Sequence, residues 1–355
     1  MIDRSFWSGQ RVLVTGHTGF KGAWLSLWLR SMGAEVTGLS LEPATEPSLF
    51  ALTGLAGDTR SHIGSIVDRP FVDAVVAEAN PTVVFHLAAQ ALVRASYDDP
   101  ADTFATNVVG TANVLDAVRA VPDLRAIVSV TSDKCYENRE WDWGYREDEP
   151  MGGHDPYSAS KGCAELVTAA MRRSYFEADG RVGVGSARAG NVIGGGDWAQ
   201  DRLIPDIIKA FAAGTEVVIR RPEAVRPWQH VLEPLSGYLL LAQRLSEGTA
   251  AEGWNFGPAD RDARPVGWMV ERMAERWGSD ASWRVERDGP HEATLLKLDC
   301  SKARNRLGWS PRLDLETTLD WLVDWYRAHL DGEDMLVMTR KQIADYEALA
   351  PDVDG

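Results

Sequence analysis

The strongest constraint on this chain is a bare loop of three evenly spaced glycines near its start. Gly16, Gly19 and Gly22 form a G-x-x-G-x-x-G where one apolar run meets another. Val12-Leu13-Val14, before the loop, reads as a short strand covered on both faces, as in a parallel sheet. Phe20 to Met32, after it, reads as a helix, with Trp24, Leu25, Trp28 and Leu29 at helical spacing. A strand–loop–helix of this kind brings backbone N–H groups and the positive end of a helix to one place, where a pyrophosphate can bind. An ordinary glycine-rich turn is the plainer alternative, but the position between strand and helix favours a dinucleotide.

Strand and helix signals then alternate through the first half. Glu35–Leu39, Val83–Leu87, Ala126–Thr131 and Val182–Arg188 read as strands. Arg69–Glu78, Thr103–Val118 and Asp155–Phe176 read as helices, the last with Pro156 suited to its first turn. Alternation of this kind implies βαβ units and a parallel sheet. The expected fold is α/β, a Rossmann-type doubly wound parallel sheet with a smaller, irregular C-terminal lobe. The expected division is 1–190 for the dinucleotide domain. Residues 191–355 would be mainly a substrate lobe, with some segments returning to the sheet domain. Gly194-Gly195-Gly196 and Pro205, Pro222, Pro227 and Pro234 mark where the regular pattern breaks.

The charge balance narrows the ligand class. There are 37 basic and 52 acidic residues, a net charge of −15. This excludes a polyanion-binding surface, which needs a basic face, but not a small anion held by a few local cations. The three cysteines are far apart and odd in number, so neither a disulfide framework nor a thiolate metal site is expected. The seven histidines form no metal-binding pattern. No apolar run is long enough to span a membrane. A strand-like run begins at Arg11, leaving no room for a signal peptide, so the cytoplasm is the expected compartment.

Tyr157-Ser158-Ala159-Ser160-Lys161 supplies a second motif. On a helix, positions i and i+4 put phenol and ammonium on one face. A neighbouring cation lowers a tyrosine pKa, making the phenol a usable base. A chance surface pair is the alternative, weakened by the glycine loop upstream. The second strand ends in Ser40 and Leu41, with no Asp at the usual ribose-contacting place and no Arg for a 2′-phosphate. Ser40 is the candidate ribose contact, and NAD is favoured over NADP.

Glycine loop and Tyr-x-x-x-Lys together resemble the extended short-chain dehydrogenase/reductase family. His86-Leu87-Ala88-Ala89-Gln90, Asn107-Val108-Val109-Gly110-Thr111 and Leu307-Gly308-Trp309-Ser310-Pro311 are similar to three further segments of that family. Thr131-Ser132-Asp133-Lys134 resembles its nucleotide-sugar 4,6-dehydratase branch, which adds an acid and a base after the usual Ser/Thr. Asp-Lys at that place resembles the members that act on CDP-glucose. The resemblance implies NAD held by Gly16, Thr18, Gly19, Phe20 and Gly22, by Ser40, Ser65 and Ile66, and by Leu87, Ala88, Ala89 and Asn107. It implies Tyr157, Lys161 and Ser132 as the oxidation triad, and Asp133 as acid at the sugar C6 hydroxyl. Lys134 would be either the C5 base or a charge that stabilises the enolate. Arg94, Asn191, Arg202, Leu203, Arg220 and Arg226 would bind the nucleotide sugar. Some indoles among Trp141, Trp143, Trp198 and Trp228 would line or cover that site. A homodimer or homotetramer is implied, with Ala101–Val118 and Pro156–Phe176 as the dimer helices. Another nucleotide-sugar dehydratase, a 4-epimerase and a non-catalytic NAD-responsive protein are the alternatives. The family has an Arg just before Lys297-Leu298-Asp299; here the run is His291-Glu292-Ala293-Thr294.

Overall fold

The computed structural model describes residues 2–278, 281–286 and 295–350, so the His291–Thr294 run lies outside the described residues. Seven strands form one sheet: β1 (Arg11–Thr15), β2 (Glu35–Ser40), β3 (Arg60–Ile63), β4 (Val83–His86), β5 (Ala126–Val130), β6 (Gly183–Arg188) and β7 (Gly253–Asn255). Their spatial order is β7-β6-β5-β4-β1-β2-β3, and every neighbouring pair is parallel. β1 is paired to β2 on one side and to β4 on the other, so the chain reverses its direction of travel across the sheet there. Ligand crevices in open α/β sheets lie outside the carboxyl ends of the strands at such a switch point.

The side chains explain why the sheet is covered on both faces. Val12 and Val14 of β1 point into one core, with Trp24 and Trp28 of α1 (Phe20–Ser31). Leu13, between them, points into the other, with Val72, Val75 and Val76 of α2 (Arg69–Ala79). This is the period-two alternation of a strand, with both phases apolar. The second core also holds Val114 and Leu115 of α3 (Thr111–Ala117), beside which runs α4 (Pro156–Met171). α5 (Leu203–Ala212) belongs to the C-terminal half. The first core takes in three further helices of that half: α6 (Leu232–Ser246), α7 (Leu315–Leu330) and α8 (Met335–Ala348).

Two strands escape sequence reasoning. β3 is Arg-Ser-His-Ile, an edge strand with no fully buried residue, so it carries no apolar run. β7 is only Gly-Trp-Asn, and it reaches β6 from far along the chain. Two expected helices are also interrupted. Ala105–Gly110 forms a π-helical turn within Thr103–Val118, and Arg172–Phe176 another after α4. Such turns are frequent at functional sites, and the first carries Asn107.

Candidate functional site

The glycine loop is shaped by contacts that leave no room for side chains. Gly16 has φ +78° and its N–H donates to Leu39 O at 2.8 Å. A Cβ there would lie 2.8 Å from Ala88 N, so the loop lies directly against the segment after β4. A Cβ on Gly22 would lie 2.1 Å from Gly16 O. Gly19 caps α1 without any side-chain bond, leaving the helix N-terminus open. Thr18 and Ser40, both buried, share a hydroxyl bond of 2.8 Å, and Thr18 also donates to Leu41 O. Ser40 thus stands at the carboxyl end of β2 beside the loop. Ile66 is buried and packs against Gly110, whereas Ser65 spends its hydroxyl on the Val67 N–H.

Strand β4 is tied to the loop through Thr15. Its hydroxyl oxygen accepts from Leu87 N and Ala88 N and meets His86 Nδ1 at 2.7 Å. Asn107 then links this strand end to α4. Its Oδ1 accepts from Gln90 N, and its Nδ2 donates to Gln90 O and to Ser160 Oγ at 2.8 Å. The side chain of Asn107 therefore positions the Tyr-x-x-x-Lys helix against the loop that holds Leu87, Ala88 and Ala89.

Helix α4 begins where Asp155 caps it, accepting from Ser158 N at 2.9 Å, with Pro156 in the first turn. Tyr157 and Lys161 are consequently one turn apart on a fixed face. Both are buried, Lys161 at 5% exposure, and its ammonium makes no hydrogen bond to a described residue. Burial lowers Lys161 to about 8, with Cys135 and Glu165 opposing.

Here one expectation fails. Burial raises the Tyr157 phenol to about 12, with the neighbouring Ser132 hydroxyl opposing. The charges acting most on it are Asp133, which raises it, and Arg202, which lowers it. Desolvation outweighs the neighbouring cations here.

After β5 the chain forms a single 3-10 turn, Asp133–Cys135. Ser132 Oγ caps it, accepting from Lys134 N at 3.2 Å and donating to Asp133 Oδ1 at 2.9 Å. Asp133 is buried and packs on Gly190, where a Cβ would lie 1.8 Å from its carboxylate. Asn191, in the left-handed region at φ +51°, donates to Asp133 Oδ2 at 3.3 Å. Lys134 is exposed.

The remaining expected residues stand at the rim. Arg202 caps α5 and pairs with Asp197 at 3.0 Å, with Leu203 following it. Arg94 pairs with Asp201 at 2.6 Å. Arg94 and Arg220 both act on the Asp206 carboxyl of α5, lowering it against its burial. Arg226 lies in a strand, Val225–Pro227, that pairs with Ala263–Pro265. A small cavity between this lobe and the sheet is lined by Asp133, Gly190, Gln229, Pro258, Asp260 and Lys297. Gln229 and Lys297 carried no motif signal. Trp198 is packed against Trp325 and Tyr326 in the large core. Trp141 and Trp143 sit 5.1 Å apart beside Tyr145, with Trp143 exposed, and Trp228 donates to Arg264 O.

Comparison with known proteins gives these positions a context. A CDP-glucose 4,6-dehydratase of Salmonella typhimurium is 57% identical over 354 residues, covering 98% of each chain. A dTDP-glucose 4,6-dehydratase of Streptomyces antibioticus is 29% identical, covering 89% of this chain and 92% of its own. The structure of MoeE5 in complex with UDP-glucose and NAD is 26% identical, covers 90% of this chain and 99% of its own, and superposes with a TM-score of 0.75. The sequence model of the family described as GDP-mannose 4,6 dehydratase matches residues 13–321, from the first strand to the C-terminal helices. The chain belongs to that family of nucleotide-sugar dehydratases.

Proposed function

We propose that this protein converts CDP-glucose to CDP-4-keto-6-deoxyglucose, with NAD recycled in each turnover, for deoxysugar biosynthesis. The observation that carries this reading is the near full-length 57% identity to a CDP-glucose 4,6-dehydratase. The glycine cradle, with Gly16 against Ala88 and an open helix N-terminus, fits a dinucleotide diphosphate. Held there, NAD would supply the acceptor for the C4 hydride and the donor of the hydride to C6. Tyr157 takes the C4 hydroxyl proton, held by Ser132 and balanced by the buried Lys161 ammonium. The ketone at C4 acidifies the C5 hydrogen, which a base takes as a proton and returns to C5 once hydride has reached C6; Lys134 stands at the base position of the motif. Asp133, held by Asn191, gives a proton to the C6 hydroxyl, which leaves as water. Arg94, Asn191, Arg202, Leu203, Arg220 and Arg226 hold the nucleotide sugar, with guanidinium forks on its diphosphate. A panel of four nucleoside-diphosphate glucoses, each assayed for the alkali-sensitive 4-keto product, tests the reading. Equal turnover of the thymidine sugar, or a C4 epimer as product, would overturn it.

Lys134 is exposed on the turn that follows Ser132. It is either the C5 base or a charge that stabilises the C5 enolate. Lys134→Met is expected to lower kcat by about 10²-fold and to slow C5 exchange with deuterated solvent. Unchanged exchange would sink both roles.

We further infer a homodimer, open to further pairing into a tetramer. Val109 and Leu166, on the expected dimer helices, are 50% and 61% exposed, which leaves apolar surface for a second copy to cover. A monomeric mass in sedimentation equilibrium would refute this. No described helix is long and apolar enough to cross a membrane. The three cysteines are free, which supports the cytoplasm as the compartment.

A further inference from the structure

Lys21 is a residue of the glycine loop that neither a tight turn nor a core contact explains. It is the second residue of α1, just past the cap Gly19. A cation in a first helical turn opposes the helix dipole, which favours an anion there. Two more cations share its surroundings: Arg202, from the start of α5, and Lys161, from α4. Asp133 and Asp197 are the acids that face it.

The packing shows why these groups converge. A Cβ on Gly194 would lie 3.2 Å from the Phe20 ring, and Trp24 Nε1 donates to Gly195 O at 2.9 Å. Those contacts lay the 194–197 segment across the first turn of α1. They bring with it Asp197 and its partner Arg202. Asp133 is held separately, seated on Gly190. Lys21 makes no hydrogen bond or ion pair with any described residue. Burial and Arg202 lower its ammonium to about 7, with Lys161 adding to the effect and Asp133 and Asp197 opposing. Lys134, by contrast, stands in solvent.

Lys21 therefore joins two ends of the site. Its backbone belongs to the loop that fits a diphosphate, and its ammonium shares a field with Lys161 and Asp133. The diphosphate is the same in both redox forms of NAD. The nicotinamide ring is cationic when oxidised and neutral when reduced. We propose that Lys21 sets the redox preference of the bound cofactor, its ammonium opposing the cationic ring and so favouring the reduced form. The charge thereby assists the first oxidation, at C4. This inference rests on the assignment of NAD made above.

The test reads cofactor occupancy, not turnover. The full-length protein, Lys21→Met and Lys21→Arg are each equilibrated with mixtures of NAD and NADH, and the bound ratio is measured. Lys21→Met is expected to shift that ratio toward NAD by about five- to tenfold. Lys21→Arg keeps the charge and should keep the ratio. In the unaltered protein the preference for NADH should fall as pH rises through about 7, because the ammonium is lost. Both variants should lose the step near 7 and keep only the change centred near 8 that belongs to Lys161. An unchanged ratio in Lys21→Met overturns the proposal. So does an equal weakening of both forms, which is the mark of a charge that acts on the diphosphate alone. If the unaltered protein binds neither form, the cofactor assignment itself fails, and the inference with it.

Discussion

Tyr157→Phe should cost about 10²- to 10⁴-fold in kcat, the range of a positioned acid–base group, while leaving the bound NAD in place. The substitution removes only the hydroxyl. The ring is buried against its surroundings and the backbone N–H still donates to Ser96 Oγ at 3.1 Å, so α4 keeps its position. What is lost is the phenol oxygen near Ser132 that is proposed to accept the C4 proton. A pH profile sharpens the test. The phenol sits at about 12 in the protein without ligands, so near neutrality it is protonated. The rate of the unaltered enzyme should therefore rise with pH over its acidic limb. Arg202 lowers the phenol, so removing that charge in Arg202→Met should move the limb to higher pH in kcat. A Tyr157→Phe enzyme with kcat within threefold or so of the parent, or a limb that ignores Arg202, would show that another group takes the proton.

The parts of this site that the sequence displays are those built from neighbours in the chain. The glycine loop is legible because strand, turn and helix follow one another from Arg11 to Ser31. Tyr157 and Lys161 are legible because four residues make one helical turn. Gly-Trp-Asn of β7 is not, because three residues carry no period and its partner β6 lies far upstream. β3 is hidden for a different reason: an edge strand needs no apolar run. The tyrosine pKa is not legible in the motif, since burial is a property of the packed lobe. The two lysines of interest show the same limit. Lys134 sits in the branch-specific motif yet is exposed, while Lys21, hidden inside a glycine pattern, faces the buried acids and cations. Spacing alone places a residue near a site; only packing decides which way its side chain points.

Arg188→Met should destabilise the protein by about 3–5 kcal/mol, the usual result of removing one partner of a buried ion pair. Arg188 on β6 and Glu165 on α4 meet at 2.8 Å, each with about 5% of its side chain exposed. Burial alone would push the Glu165 carboxyl up, but Arg188 holds it below its usual range, aided by Ser186 and Thr131. Those two hydroxyls donate at 2.6 and 2.5 Å. Arg188 also donates to Tyr136 Oη and to Glu147 O. Tyr136 in turn donates to Asn255 of β7 at 2.7 Å. Without Arg188, Glu165 is a buried, unpaired carboxylate, and its pKa in the fold rises above that of the unfolded chain. The variant's deficit should then shrink as pH falls toward the carboxylate range and be largest near neutrality. Glu165→Gln with Arg188→Met removes both charges and should recover more than about 1 kcal/mol, with the pH dependence gone. Urea unfolding of the two variants at neutral and mildly acidic pH decides the matter; a single-variant loss under about 1 kcal/mol would refute it. The pair has a consequence for chemistry as well as stability. Glu165 lies one turn beyond Lys161, and Tyr136 directly follows the turn that carries Asp133 and Lys134. One buried charge pair therefore fixes both halves of the proposed catalytic machinery against the same two strands.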